Sequence, residues 1–336
     1  MIEGHGDDLH RYGGRVRVNF STNIPQHADH SGLLSHLACC GAVVSNYPEP
    51  APRSVERLLA AGHGIGEEYV MVTNGATESI YLLAHAYEGG KSAVIVPTFR
   101  EYQDACRVFS HSVSFISSLE DVDGGLDMVW LCNPNNPTGR AYDRDRLLAV
   151  VDAFPSTLFV VDQAYAGYSV KRVLGVEDVL ERGNVVMLHS LTKRFFVPGL
   201  RIGYAVGDAS VLGRMRRLAM PWSVNALAIE ASRYLLAHSD DYRIDAARLH
   251  SEVMRMAGAF IDMGMEAGLT DCNFVLVRLR DKTARELKEW LVERHGLLIR
   301  DASNFEGLSA AHFRVAAQSR EENNMLINAL KEWIIL

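Results

Sequence analysis

Short apolar runs and segments of helical periodicity alternate along the chain from about residue 68 onward. The apolar runs at 69–72 and 93–96 each precede a segment with the helical spacing of apolar residues, the first from residue 77 and the second over 101–108. Such alternation is typical of βαβ units, in which helices join parallel strands. We therefore predict an α/β protein whose sheet has much parallel pairing.

Three further apolar runs, at 128–131, 158–161 and 185–188, continue this pattern and end in polar residues. In α/β proteins, ligands bind beyond the carboxyl ends of the parallel strands. The polar residues after these runs are therefore the first candidates for a functional site.

The pattern changes after Pro221, where long helical segments at 225–238 and 242–263 precede an apolar run at 273–277. This order indicates a second, α+β domain. The first 50 residues, with scattered His, Gly and Pro, are typical of an irregular arm. The predicted parts are an N-terminal arm belonging to the small domain (1–30), a large domain (31–225) and a small C-terminal domain (226–336).

Composition narrows the class of protein. A chain of 336 residues accommodates one large and one smaller domain, and its net charge is −7. No stretch approaches the roughly 18 uncharged apolar residues that cross a bilayer, so we expect no membrane partner. Basic residues form no stripe with interleaved aromatics, so we expect no nucleic-acid partner. The start of the chain lacks the pattern of a secretory signal, so we expect a cytoplasmic protein.

The cysteines and histidines point to no metal or disulfide framework. The five cysteines are odd in number and form no C-x-x-C pair, which predicts reduced and mostly buried thiols. The histidines lack ligand spacing, so we expect no metal site. One segment resembles a dinucleotide-binding loop, Gly62-His63-Gly64-Ile65-Gly66. It follows a helical segment and precedes a strand, which is the reverse of the order that such a loop requires, so we interpret it as a helix stop and turn.

Lys193 follows the apolar run 185–188 within Ser190-Leu191-Thr192-Lys193. A lysine just past a buried strand is unusual, because burial disfavours the ammonium form. A desolvated amine of lowered pKa forms Schiff bases readily. The alternative for Lys193 taken alone is a solvated lysine in a surface turn.

Asp162 directly follows the run 158–161. A carboxylate at this position can keep a pyridine nitrogen protonated. The alternative for Asp162 is a helix cap. Asn74-Gly75-Ala76-Thr77-Glu78 lies between a strand and a helix, so its backbone N–H groups can bind a phosphate or form an ordinary cap. Arg201 adds a guanidinium suited to phosphate, or else a surface ion pair, and Ser190 and Thr192 can add hydroxyl donors.

Four motifs in order resemble the class I/II aminotransferase superfamily of pyridoxal-phosphate (PLP) enzymes. They are Asn133-Pro134-Asn135-Asn136-Pro137-Thr138-Gly139, Asp162-Gln163-Ala164-Tyr165, Ser190-Leu191-Thr192-Lys193 and Gly199-Leu200-Arg201-Ile202-Gly203. The resemblance spans essentially the entire chain. It implies the α/β fold of PLP-dependent transferases (fold type I), with a large α/β domain around a mostly parallel sheet and a smaller α+β domain.

The resemblance also implies roles for individual residues. Lys193 would carry PLP as a Schiff base and move protons, Asp162 would pair with the ring nitrogen, and Tyr165 would bond the phenolic oxygen together with Asn136. Phe99 would stack on the ring. The phosphate would contact Ala76, Thr77, Ser190 and Arg201. Tyr47 would reach the phosphate of a neighbouring subunit, which implies a homodimer.

Within the superfamily, the chain is similar to histidinol-phosphate aminotransferases and more so to threonine-phosphate decarboxylases. The second similarity rests on Gly4-His5-Gly6, on 20–24, on 220–228 and on 298–308. It implies a small amino-acid substrate that is phosphorylated. The candidates for binding the phosphate and carboxylate of this substrate are His5, Asn23, Arg300 and Arg314. Of these, Arg314 would bind the carboxylate.

The chain departs from the decarboxylase pattern at a few positions. Asp7-Asp8 stands where the family often has Gly-Asn, Gln318 where an arginine is common, and Tyr165 where phenylalanine is common. The acidic pair and the missing arginine weigh against a phosphorylated substrate.

The leading hypothesis is decarboxylation of threonine phosphate to aminopropanol phosphate, a step of cobalamin synthesis. The runner-up is an aminotransferase of the histidinol-phosphate type. A third hypothesis, a PLP-binding protein without catalysis, is disfavoured because Lys193, Asp162, Asn136 and Arg201 occur together.

Overall fold

The computed structural model describes residues 8–335. The strands are β1 (Val18–Asn19), β2 (Val70–Thr73), β3 (Lys91–Ile95), β4 (Ser112–Ile116), β5 (Met128–Cys132), β6 (Leu158–Asp162), β7 (Val185–Ser190), β8 (Gly203–Gly207), β9 (Glu266–Ala267), β10 (Phe274–Arg278), β11 (Leu297–Leu298), β12 (Arg300–Asp301) and β13 (His312–Ala316).

The α-helices lie between and after these strands. They are α1 (Ser31–Cys39), α2 (Arg53–His63), α3 (Ala76–Ala86), α4 (Glu101–Val108), α5 (Arg144–Ala153), α6 (Val176–Arg182), α7 (Leu191–Arg194), α8 (Ala209–Leu218), α9 (Ala226–Ala237), α10 (Ala246–Asp262), α11 (Ala284–His295) and α12 (Arg320–Ile335). None of the helices in this part of the chain combines the length and apolar character needed to cross a membrane.

The larger sheet of residues 8–335 has seven strands in the order β2-β8-β7-β6-β5-β3-β4. From β7 to β4 all neighbours pair in parallel, whereas β8 runs antiparallel to both β2 and β7. The carboxyl ends of β5, β6 and β7 consequently lie side by side. The mostly parallel α/β architecture predicted from the sequence is confirmed.

Both faces of the larger sheet are covered by helices, which explains why its central strands are apolar up to their carboxyl ends. All residues of β5 and β6 are buried. Along β5, Trp130 packs into a core formed with α3, α4 and α8, while Val129 and Leu131 pack into a core formed with α2, α5 and α9. This alternation follows from the two-residue period of a strand.

The C-terminal part builds a separate core around the sheet β12-β13-β10-β9, covered by α10, α11 and α12. The N-terminal segment joins this core: β1 pairs in parallel with β11, and Phe20 is fully buried. The Ala316 N–H donates to the Phe20 carbonyl at 3.0 Å. The residues after Phe20 are thereby held beside β13.

Helix α9 belongs to the core of the larger sheet. Its residues Ala228, Ile229 and Leu235 lie in that core, and the helix packs against α1 and α2. The sequence had assigned this helix to the small domain, because an apolar helix face does not identify its partner. We propose that the large domain extends through Tyr242, which joins the same core.

The five apolar runs 69–72, 93–96, 128–131, 158–161 and 185–188 all overlap strands of the larger sheet. Strand β4 was not among the predicted strands because its residues are mostly exposed, and β8 because glycine stands at both of its ends. The predicted stop in the glycine-rich segment 62–66 is confirmed, since Gly64 ends α2 in the left-handed conformation, at φ 68°.

Candidate active site

A cavity of about 580 Å³ lies at the carboxyl ends of β5, β6 and β7 and extends to β12 and β13. It brings together residues that are far apart in the sequence. The predicted site residues that line it are Asn23, Ala76, Thr77, Phe99, Asn136, Asp162, Tyr165, Ser190, Thr192, Lys193, Arg201, Arg300 and Arg314.

Lys193 reaches the cavity from α7, a single helical turn directly after β7. The Ser190 hydroxyl caps this turn and accepts a hydrogen bond from the Lys193 backbone N–H at 3.3 Å. The Lys193 Nζ lies 5.9 Å from the centre of the Tyr165 ring. The lysine is thus held within the site and does not extend into bulk solvent.

Asp162 is buried at the end of β6 with both carboxylate oxygens engaged. Oδ2 accepts from the Tyr102 hydroxyl at 2.7 Å, and Oδ1 accepts from the Ala164 N–H at 2.9 Å. Burial raises the pKa of this carboxyl, while the Tyr102 and Ala164 hydrogen bonds and the charge of Lys193 oppose the rise. These donors favour the charged form that a protonated ring nitrogen requires.

Tyr102 was not predicted as a site residue. It lies fully buried on α4, and its ring stacks on Trp130 at 5.9 Å between centroids. Because a buried tyrosine hydroxyl needs a hydrogen-bond partner, its position on the buried face of the predicted helix 101–108 was the available signal. The identity of the partner required the tertiary structure.

The phosphate site predicted at Gly75 and the N-terminus of α3 has the shape of an anion cradle. Gly75 has φ 79°, and a Cβ there would lie 2.8 Å from Arg201 Nη2. A Cβ on Gly203 would lie 2.5 Å from the Ala76 nitrogen, so β8 packs directly against this turn. The helix N-terminus, its free N–H groups and a guanidinium together suit a phosphate.

The hydroxyl groups near this cradle differ in their partners. The Thr192 hydroxyl donates to the Ile202 carbonyl at 3.1 Å, which ties α7 to the segment before β8. Thr192 lines the cavity, but its proton is committed to the backbone. Ser190 also faces the cavity.

Two arginines enter the cavity from neighbouring strands, because Arg300 of β12 and Arg314 of β13 are register partners. Arg314 donates to the Asn136 side chain and, at 2.5 Å, to the Ser21 carbonyl. Arg300 donates to Asn304 Oδ1 at 2.8 Å. Burial lowers the pKa of each guanidinium to about 10, so both stay charged at neutral pH. The site therefore presents two buried cations to its ligand.

The predicted Tyr47 lies outside the cavity, and so do Asp8 and Gln318, two positions that depart from the family pattern. Tyr47 is 86% exposed and packs against Trp222, outside the cavity. His5 and Asp7 lie outside the described residues. Asp8 pairs with Lys288 at 2.7 Å, which neutralises its charge. Gln318 is buried and bonds the backbone of Gln26 and Ile24, so it fixes the N-terminal segment.

Further cavity residues escaped the sequence predictions. Tyr81 on α3 donates to Glu101 on α4 at 3.0 Å across the cavity wall. Neither belongs to a recognised motif, and their positions depend on how α3 and α4 pack. The other residues that line the cavity without having been predicted are Ser21, Thr22, Ile80, Arg100, Tyr102, Cys132, Ala164, Pro198, Asn304 and Phe305.

Comparison with known proteins identifies the family. The model of the family "Aminotransferase class I and II" matches residues 18–330. The chain belongs to this family. It is 30% identical over 315 residues to the threonine-phosphate decarboxylase of Salmonella typhimurium, with 89% of this chain and 85% of the relative covered. It is also 30% identical over 321 residues to a histidinol-phosphate aminotransferase of Desulfitobacterium hafniense, with 90% and 87% covered.

Among solved structures, the L-threonine-O-3-phosphate decarboxylase from Porphyromonas gingivalis superposes with a TM-score of 0.92 at 35% identity. The match covers 95% of this chain and 100% of that one. Members of the family are PLP-dependent enzymes, and so is this protein. The cradle at Gly75, the hydrogen-bonded Asp162 and the enclosed Lys193 suit the phosphate, ring nitrogen and aldehyde of PLP.

Proposed function

We propose that this enzyme uses PLP to decarboxylate L-threonine O-3-phosphate, yielding aminopropanol phosphate. The observation that carries the proposal is the pair of buried guanidinium groups, Arg300 and Arg314, in the cavity that also holds Lys193. Two fixed cations suit a substrate with two anionic groups, here a carboxylate and a phosphate. Relatives named threonine-phosphate decarboxylase support the same substrate.

Bound PLP supplies a ring that withdraws the electrons left at the substrate Cα when one of its bonds breaks. Asp162 would hold the proton on the ring nitrogen, and Asn136 and Tyr165 would bond the phenolic oxygen. Arg314 would orient the substrate carboxylate so that its bond to Cα is the one that breaks. Lys193 would then deliver a proton to Cα from its ammonium group.

An aminotransferase acting on histidinol phosphate is the second candidate, supported by the relative that is 30% identical over 90% of this chain. In such an enzyme Lys193 would remove the Cα hydrogen instead. Histidinol phosphate carries a phosphate but no carboxylate, so it would leave one of the two buried guanidinium groups without an anionic partner. The acceptor 2-oxoglutarate has two carboxylates and would pair with both guanidinium groups, so the decarboxylase is the better fit only with respect to the amino donor.

The two candidates are separated by supplying the purified, PLP-loaded enzyme with each substrate. We expect carbon dioxide and aminopropanol phosphate from threonine phosphate, and no exchange of amino groups between histidinol phosphate and 2-oxoglutarate. Release of an oxo product without carbon dioxide would support the aminotransferase. No reaction with either substrate would rule out both.

The phosphate and carboxylate contacts are tested by replacing the cavity arginines one at a time. We expect Arg300→Gln and Arg314→Gln each to raise KM for threonine phosphate about tenfold or more, because each removes a charge-assisted hydrogen bond. Replacing the arginine that binds the substrate phosphate should leave KM for unphosphorylated threonine nearly unchanged. Arg285→Gln, at an exposed position on α11, is the control and should change neither constant.

A further inference from the structure

Three potential metal ligands meet on the large domain, and none of them lines the cavity. They are His36 on α1, Cys40 directly after it and Glu230 on α9. His36 Nε2 lies 3.7 Å from Cys40 Sγ and 3.9 Å from Glu230 Oε2. We propose that these three side chains bind a zinc ion.

The local structure explains why the three atoms meet. His36 and Cys40 are four residues apart, so they share one face of the helix end. The Cys40 N–H donates to the His36 carbonyl at 3.0 Å, which continues the helical pattern through Cys40. That face packs against α9, where Glu230 lies. The mutual distances of the three ligand atoms are all within 4.8 Å.

Neighbouring side chains orient two of the ligands. The His36 ring stacks on Tyr234, with centroids 5.0 Å apart and planes at 29°. Glu230 Oε1 accepts from Arg233 at 3.0 Å, which turns Oε2 toward His36. Such outer contacts fix ligand orientation in metal sites. All three ligand residues are half-buried, so an ion can enter from solvent.

The ligand chemistry selects the ion. An imidazole, a thiolate and a carboxylate together suit zinc, which binds them at about 2.0 to 2.3 Å in tetrahedral geometry. At those bond lengths neighbouring ligand atoms lie about 3.3 to 3.6 Å apart, so small side-chain shifts would close the site. Magnesium and calcium prefer oxygen ligands and should not compete. Three protein ligands leave the fourth position to water.

Zinc at this position would join α1 to α9. Helix α1 follows the segment that carries Ser21, Thr22 and Asn23 into the cavity, and both α1, through Leu33, and α9 contribute to the core of the larger sheet. An ion bound only by the folded chain stabilises it. The spacing of the histidines predicts no metal site, because Glu230 lies 190 residues beyond Cys40 in the chain and only the packing of α9 brings it near.

Zinc binding to the PLP-loaded enzyme can be measured by equilibrium dialysis, with the adjacent Cys39 supplying the control. Cys39 is exposed and lies outside the group. We expect the wild type and Cys39→Ser to bind one zinc ion per chain with equal affinity and to unfold at a higher temperature with zinc. Cys40→Ser and Glu230→Gln should bind at least about tenfold more weakly, and magnesium should produce no shift.

A thiol-modification assay gives an independent readout. In the Cys39→Ser variant, Cys40 is half-buried while the remaining Cys106, Cys132 and Cys272 are buried. Zinc should slow alkylation of Cys40 at least about tenfold, since a bound thiolate is not free to react. Adding His36→Gln should abolish that protection. Equal zinc affinity in the wild type and Cys40→Ser, or alkylation unaffected by zinc, would overturn the proposal.

Discussion

At the scale of single residues, the surroundings of Asp162 determine how the site can handle charge. Burial alone would favour the neutral acid, and the pKa of this carboxyl is indeed raised. Tyr102 and the Ala164 N–H donate to its two oxygens and partly restore the anion. We therefore propose that Tyr102 is a positioning residue that would act on the cofactor through Asp162.

Replacing Tyr102 with phenylalanine tests this role. We expect Tyr102→Phe to raise the Asp162 pKa further and to weaken PLP binding about tenfold, since a hydrogen bond to a charged group contributes about 1.5 to 3 kcal/mol. The measurements are the dissociation constant of PLP and the pH dependence of its absorbance on the enzyme. Tyr87→Phe, at a half-buried tyrosine outside the cavity, should change neither. An unchanged absorbance profile in Tyr102→Phe would refute the role.

Lys193 should be indispensable for turnover. We expect Lys193→Ala to abolish both activity and the absorbance of lysine-linked PLP while leaving the unfolding temperature of the cofactor-free protein unchanged, because the cavity loses no packed apolar group. Lys331→Ala, at an exposed position on α12, should behave as the wild type. Full turnover in Lys193→Ala would invalidate the assignment.

At the scale of secondary-structure elements, the phosphate cradle depends on how closely β8 approaches the turn before α3. A Cβ on Gly203 would lie 2.5 Å from the Ala76 nitrogen and 2.8 Å from the His189 carbonyl oxygen. Both neighbours are backbone atoms that cannot rotate away. A side chain at 203 must therefore displace the turn that forms the cradle.

We predict that Gly203→Ala will lower PLP affinity at least about tenfold and destabilise the fold by about 1 to 3 kcal/mol, the usual cost of overpacking. Gly258→Ala is the matched control, because a Cβ there meets no atom within 4 Å and alanine favours a helix. The measurements are PLP titration and chemical unfolding of the cofactor-free protein. Normal PLP affinity in Gly203→Ala would show that the turn tolerates displacement.

At the scale of the whole molecule, the exposed position of Tyr47 bears on the proposed homodimer. The side chain is 86% exposed and lies outside the cavity of its own chain. If Tyr47 serves the phosphate of a neighbouring subunit, each site needs Lys193 from one chain and Tyr47 from the other.

We predict that mixing Lys193→Ala with Tyr47→Phe subunits will restore activity above the sum of the two variants. In a mixed dimer, one site combines an intact Lys193 with an intact Tyr47. The measurement is activity after the subunits have been exchanged under mild denaturant, compared with each variant treated alone. Strictly additive activity would indicate that Tyr47 does not act across subunits.

The folded molecule should also lose stability in acid through His189, whose partly buried ring stacks on Tyr204. Burial lowers the pKa of His189 to about 3 and also lowers that of His63. Between about pH 6.5 and 3 the unfolded chain binds a proton at residue 189 that the folded chain does not, so the free energy of unfolding falls as the pH falls.

We expect His189→Phe, which keeps a ring against Tyr204, to lose less stability than the wild type between pH 7 and pH 5. Below pH 6.5, the free energies of unfolding of the two proteins should diverge by at most about 1.4 kcal/mol per pH unit. Chemical unfolding at both pH values measures it, and His10→Gln, at an exposed position, should follow the wild type. Equal pH dependence in His189→Phe and the wild type would contradict the assigned cause.

The sequence by itself determined the mostly parallel α/β class and about half of the residues that line the cavity. It could do so because Asp162 ends a buried strand, Lys193 lies in the helical turn after another strand, and the turn at Gly75 joins a strand to a helix. Strand direction and local turn geometry place such residues at one edge of a sheet, whatever the rest of the chain does.

The tertiary structure alone decided which distant residues touch. The register of β12 with β13 places Arg300 opposite Arg314, the packing of α4 brings Tyr102 to Asp162, and the packing of α9 brings Glu230 to His36. Local patterns show which face of a helix or strand is buried but not against which partner. These contacts join elements far apart in the chain, so they depend on how the complete set of helices and strands packs.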